Sequence, residues 1–261
     1  WSMGYADREG VKVGDRYRNL RTRLNLESKV TSFLTVGLNA QFATRLGGYL
    51  DADVEQREHN SPFTTNDIDI LDSPYRMYPY GDNNTKNPFF DNLYRDRRDI
   101  HHDLNANLYA IVKLPFGFEY QMNFTPRYHW YEDMNHESAE HPEWAGDGGR
   151  SERKNEKTFN WQVDNILRWK KEFGEDHRVE ATFLQNAEKG QWWKTVAQNK
   201  LYSPSDILGF HNIGAGTAPS VSSEDTYKTG DALMGRLFYS FKDKYMLTAS
   251  VRRDGFFSFG S

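Results

Sequence analysis

The chain contains no cysteine, which excludes a disulfide framework, a thiolate metal site and cysteine redox chemistry. It also lacks long apolar runs. A spanning helix needs about 18 consecutive apolar residues, and a sequence that is 37% hydrophobic and 27% charged, with mean hydropathy -0.85, offers none. Any membrane crossing must therefore use strands. A concentrated basic face is missing too: the net charge is -4 and the pI about 6.1, so nothing points to a nucleic-acid partner. Residues 1–5 lack the basic and apolar regions of a secretory signal and read instead like strand interior. What the chain has in excess is aromatic residues, 15% of the total, which disordered segments rarely carry.

Period two dominates what is present, the periodicity of strands whose two faces meet different surroundings. Leu20, Leu24 and Leu26 alternate with Arg21, Arg23, Asn25 and Glu27, and Thr22 keeps the apolar parity. Leu34, Val36, Leu38, Ala40 and Phe42 alternate with Thr35, Gly37, Asn39 and Gln41. The rule returns at Leu104, Ala106, Leu108, Ala110 and Val112, and at Phe118, Tyr120, Met122 and Phe124. It continues through Phe159, Trp161, Val163 and Leu167, then Val179, Ala181 and Phe183, then Leu233, Leu237, Tyr239 and Phe241. Tyr245, Leu247, Ala249 and Val251 close the series. Helical periodicity is weak. The best helix candidates are residues 191–200 and a start at Ser203-Pro204-Ser205-Asp206, where Ser or Asp can cap and Pro suits a first turn.

Connections alternate in length. Short turns are expected at 29–33, Leu114-Pro115-Phe116-Gly117, 171–176 and Phe241-Lys242-Asp243-Lys244. Long loops rich in Gly, Pro, Asn, Asp and Ser are expected at 7–16, about 47–97, 132–155 and 189–228. Short turns at one end and long loops at the other are the pattern of an antiparallel transmembrane β-barrel, with periplasmic turns and extracellular loops. Aromatics mark both ends. Phe33, Phe116, Phe118, Trp169, Phe173, Phe241 and Tyr245 sit near the turns; Tyr17, Tyr128, Trp130, Tyr131, Phe159, Trp161, Phe256 and Phe257 sit near the loops. Two such belts suit the two headgroup levels of a bilayer. A soluble β-protein with these rings in its core would not require the loop asymmetry, and a propeller or solenoid would need a fixed repeat that these loops break. With strands at 1–6 and at 245–257 the count is about nine, both terminal strands running outward. Closed bacterial barrels normally have an even number, and unpaired edges in lipid are costly, so part of a larger barrel is expected.

The last strand, Tyr245-Met246-Leu247-Thr248-Ala249-Ser250-Val251-Arg252-Arg253-Asp254-Gly255-Phe256-Phe257-Ser258-Phe259-Gly260, resembles a signature strand of the SusC/RagA family of TonB-dependent transporters. That strand typically reads Y-x-L-T-A-x-x-R-R/x-D-G-S-S-x-F-G; Arg253-Asp254-Gly255 and Phe259-Gly260 keep it, and Phe256-Phe257 depart from its small polar residues. Gly4-Tyr5, Glu9-Gly10, Arg21-Thr22-Arg23-Leu24-Asn25-Leu26 and Tyr202-Ser203-Pro204-Ser205-Asp206 also resemble the family's mid-barrel region. The family's carboxypeptidase-like extension, TonB box and plug have no counterpart in these residues. The resemblance implies an outer-membrane active transporter, not an enzyme, that imports oligosaccharides or peptides. It implies a SusD-like surface lipoprotein as lid, energy from the TonB-ExbB-ExbD complex acting through parts absent here, and a surrounding bilayer with LPS. The residues alone leave open a small closed eight-stranded barrel with a structural or adhesive role, which requires that 1–6 not be a strand and that the last strand pair with one near Leu20. A secreted carbohydrate hydrolase would need paired carboxylates held rigidly.

Candidate substrate-binding residues are the loop-end aromatics Trp130, Tyr131, Trp144, Trp192, Trp193 and Tyr202, which can stack on sugar rings or pack against peptide side chains. Arg21, Arg23, Arg236 and Arg252 share the polar side of their strands and are expected to line the lumen, balancing carboxylates such as Glu27 and Glu119. No catalytic residue, cofactor or metal is expected. His101 and His102 point to opposite faces of a strand, and His59, His129, His136, His141, His177 and His211 form no HExxH spacing. Asp51-Ala52-Asp53-Val54-Glu55 and Asn66-Asp67-Ile68-Asp69 match no EF-hand loop. Gly214-Ala215-Gly216 lacks the strand, third glycine and helix of a phosphate cradle.

Overall fold

The computed structural model describes residues 1–10, 16–47 and 90–260. They form one antiparallel sheet of nine strands, each bonded to its neighbours in sequence. The strands are β1 (Ser2–Glu9), β2 (Arg16–Lys29), β3 (Leu34–Gly47), β4 (Arg95–Lys113), β5 (Phe118–Glu137), β6 (Arg150–Phe173), β7 (His177–Lys200), β8 (Ser220–Phe241) and β9 (Tyr245–Gly260). A five-residue helix, α1 (Phe90–Tyr94), leads into β4. β1 is a strand bonded to β2, and among the described residues β9 pairs with β8 and not with β2. Both facts oppose the closed eight-stranded reading.

Registers are unbroken, so the parity seen in sequence becomes two continuous faces. Leu26, Leu38, Leu108, Phe124, Val163 and Ala187 lie directly opposite one another from β2 to β7, and opposed residues share a face. One position along, Asn25 opposes Asn39 and Asn39 opposes Asn107, while Gln162 stands between Thr125 and Glu188. The apolar face is not a core. Val36, Leu108 and Leu247 are 36%, 41% and 67% exposed, and the buried hydrophobic residues among those described are Phe90, Met134, Phe210 and Ala232. A contiguous exposed surface of this kind needs hydrocarbon against it, not water.

The band has the right height. On β6 its outward positions run from Trp169 through Leu167, Val163 and Trp161 to Phe159, about 35 Å along the strand and roughly 25 Å high at a 45° tilt. Above Phe159 the same parity carries Lys157, Asn155, Arg153 and Ser151. Inside the band a polar triad is satisfied internally. The Tyr120 hydroxyl donates to Asn165 Oδ1 at 2.5 Å, and Asn165 Nδ2 donates to Gln185 Oε1 at 2.6 Å. Most belt aromatics share the outward parity, but Tyr17, Tyr131 and Phe256 lie on the polar face.

Turns are short where expected. Gly117, at φ +83°, faces the Lys170 carbonyl so closely that a Cβ would sit 2.3 Å from its oxygen, and Trp169 Nε1 donates to the Phe116 carbonyl at 3.1 Å. The opposite connections are shorter than the sequence suggests. Residues 7–9 belong to β1, β5 and β6 leave only 138–149 between them, and β7 and β8 leave 201–219. Residues 191–200, expected as a helix, are the upper half of β7, and Ser203 to Asp206 forms no helix. The reason is physical: above the band both faces of a strand meet water, so the alternation that marks a strand disappears. The acidic stretches at 51–55 and 66–69, and His59, lie outside the described residues.

Candidate functional site

The polar face is a wall of amides and charges. Asn25, Asn39, Gln41, Asn105, Asn107 and Arg127 surround a shallow hollow of about 470 Å³ across β2 to β5. Short amide side chains at opposed positions place donors and acceptors at strand spacing, able to bond amides or hydroxyls of an extended ligand. Arg21, Arg23, Arg236 and Arg252 all carry this parity. Their partners differ from those expected. Arg23 donates to Gln41 Oε1 at 3.3 Å and Arg252 holds Asp254 at 2.7 Å. Glu27 accepts instead from the Tyr109 hydroxyl at 2.7 Å, and Glu119 pairs with Arg168 at 3.1 Å.

Higher on the same wall, two of the six candidate aromatics meet. Tyr131 of β5 and Trp192 of β7 flank Glu156 of β6: Tyr131 opposes Glu156, and Trp192 Nε1 donates to Glu156 Oε2 at 3.3 Å. Lys154 ties the group together, 3.3 Å from Glu156 and 5.0 Å from the Tyr131 ring centre. His101 packs at 4.4 Å from Tyr131. Burial, then the charges of Asp133 and Asp99, push the Tyr131 phenol up to about 12, so it stays protonated and can donate. Burial, then the charge of Arg45, lowers the His101 imidazole below its ordinary value. Ring faces beside one carboxylate and one ammonium can stack on a ligand and bond its polar groups.

The other four aromatics lie elsewhere. Trp130 and Trp193 carry the outward parity, on either side of Lys157, and Trp130 stacks on Tyr128 at 3.9 Å. Trp144 stacks at 4.0 Å on His141, which is fully buried against Phe90 and Tyr94 of α1. His141 Nδ1 accepts from the Glu143 backbone N–H at 3.1 Å, so the proton sits on Nε2, which reaches Asp91 at 3.0 Å. Tyr202 stands edge-on to His136.

Sequence reasoning missed what His136 does. Its Nδ1 meets Ser151 Oγ at 2.9 Å and its Nε2 lies 3.6 Å from Asp206, which accepts from the Ala139 backbone N–H at 2.7 Å. Ser151 is fully buried, and Gly209, at φ +47°, presses on the His136 ring so closely that a Cβ would lie 2.7 Å from it. The group pins the 201–219 connection to β5 and β6. Residues so far apart in sequence give no local signal of this contact. Among the described residues, no group of three or more His, Asp or Glu side chains could hold a metal ion.

No family model matches the chain. Over its whole length it is 24% identical to the TonB-dependent receptor P39 of Formosa agariphila, and over 97% of its length 22% identical to the TonB-dependent receptor P26 of the same organism. It spans about a quarter of each, 25% and 26%. Solved structures of the RagAB peptide transporter superpose on 97% of the chain and 29% of theirs. The TM-score is 0.74 at 18% identity, and 0.77 at 19% for the importer in its open-open state. Along its full length the chain is thus similar to TonB-dependent receptors, and it shares its sheet with the RagAB structures, the arrangement of a stretch of outer-membrane β-barrel.

Proposed function

We propose that the chain is part of the barrel domain of an active importer, with its short turns in the periplasm and its long connections outside the cell. Its polar wall contributes to the path of an oligosaccharide or a peptide. The observation that carries this is the two-faced sheet: an exposed apolar side, and an amide-lined side topped by the Tyr131–Glu156–Trp192 group. Peptide transport by the RagAB relatives supports the peptide alternative. A SusD-like lipoprotein over the loops and energy from the TonB complex follow from the family resemblance. Catalysis has no part in this reading, because the Ser151, His136 and Asp206 side chains serve a buried tie between strand and loop.

The test uses the full-length protein in an outer membrane. Uptake of labelled peptides is compared with uptake of labelled oligosaccharides of matched size, in cells with and without functional TonB. TonB-dependent uptake of one class, weakened by Trp192→Ala, supports the proposal. Equal, TonB-independent entry of both would reduce the chain to passive barrel wall.

A further inference from the structure

The outward face changes character at the top of its apolar band. Lys189 of β7 stands opposite Trp161 of β6, and two positions higher along each strand than the intervening Phe159–Gln191 pair, Lys157 stands opposite Trp193. On its other side Lys157 opposes Trp130. Lys189 Nζ lies 5.8 Å from the Tyr227 ring centre. The two lysines are four residues apart in register, roughly 13 Å along the strand, a span suited to two anionic groups and not to one.

On the other face some lysines are paired and some are not: Lys113, Lys194 and Lys228 have no ion pair among the described residues. Lys154, Lys170 and Lys200 carry the inward parity and each is paired with a carboxylate, Glu156, Glu180 and Asp147 respectively. Lys157 and Lys189 have no ion pair among the described residues, although Asp225 opposes Trp193 and Glu132 opposes Asn155 at the same level. A lysine stem laid along indole rings at the edge of hydrocarbon puts its ammonium among the headgroups. There the available counter-charge is phosphate on lipid. We infer that Lys157 and Lys189, framed by Trp130, Trp161 and Trp193, form a binding site for the phosphates of an anionic outer-leaflet lipid.

The experiment uses the full-length protein in nanodiscs of phosphatidylcholine, with or without diphosphoryl lipid A, and counts lipid A molecules retained per protein by native mass spectrometry. Lys157→Gln and Lys189→Gln are each expected to weaken retention about fivefold, and the pair about thirtyfold. Lys157→Arg with Lys189→Arg keeps it, which separates charge loss from misfolding. Lys171→Gln, at the other rim, leaves it unchanged. Three results would overturn the site: undiminished retention by the double glutamine variant, equal retention of dephosphorylated lipid A, or full release by inorganic phosphate at physiological concentration.

Discussion

The lower and upper halves of β6 follow one backbone rule in two different solvents. From Trp169 to Phe159 its outward side chains are apolar apart from the hydrogen-bonded Asn165, whereas from Lys157 to Ser151 the same parity is polar. The upper wall is tied together by pairs such as Arg97 with Asp133 at 3.3 Å and Arg150 with Glu137 at 3.5 Å. Such pairs contribute little individually, but loops add buried hubs at Phe210 and His141, and Ser151 of β6 is fully buried too. The lower half therefore depends on its lipid surroundings, and the upper half carries its own small cores. That difference teaches where each half finds its support: the upper part in buried contacts with its loops, the lower in contact with lipid.

The sharpest way to break the comparison is a charge in the band. Leu108→Arg is expected to destabilise the barrel by about 2–4 kcal/mol, while Asn107→Arg on the adjacent inward position costs less than about 1 kcal/mol; urea unfolding in phospholipid vesicles reads both. Next comes His141→Ala, which empties a buried site under α1 and lowers local stability by roughly 2–3 kcal/mol. Faster proteolysis within 138–149, with unchanged barrel unfolding, is the expected signature. Asn165→Leu strands the Tyr120 hydroxyl and the Gln185 amide in hydrocarbon, at about 1–3 kcal/mol. Replacing all three by Phe, Leu and Leu recovers most of that loss in the same vesicle assay.

Two smaller effects sharpen the comparison of faces. Trp192→Ala is expected to weaken ligand binding about threefold to tenfold, and Trp193→Ala, one residue along and outward, to leave it unchanged; titration calorimetry on the intact protein decides. The last concerns acid. Because the folded His101 pKa lies below its ordinary 6.5, the unfolded chain takes up the proton first as pH falls. Stability associated with His101 is thus intact above the unfolded value and lost as pH drops through it toward the folded one. His101→Asn should flatten that slope in unfolding measured across the same pH range.

Parity made much of this legible in advance. The strands from Leu20 to Phe42 and from Leu104 to Phe124 could be read because one face meets lipid and the other water, and Arg21, Arg23, Arg236 and Arg252 fall on the polar face as their spacing requires. Counting onward from Ala187 would also have separated outward Trp193 from inward Trp192, since the register never slips. What could not be read is whatever depends on water at both faces or on distant residues. The upper half of β7 resembled a helix because its alternation is gone. The Asp206 contact with His136 joins residues whose neighbours in sequence give no hint of each other.

The most direct test exploits the absence of native cysteine. Single cysteines at Leu108 and Asn107 of the full-length protein in bilayers are labelled with nitroxide, and their collisions with oxygen and with a water-soluble nickel chelate are compared. The label at 108 should meet oxygen and not nickel, and the label at 107 should show the reverse preference. A label at 108 shielded from both would mean that the apolar face packs against protein, and the two-solvent account would be wrong.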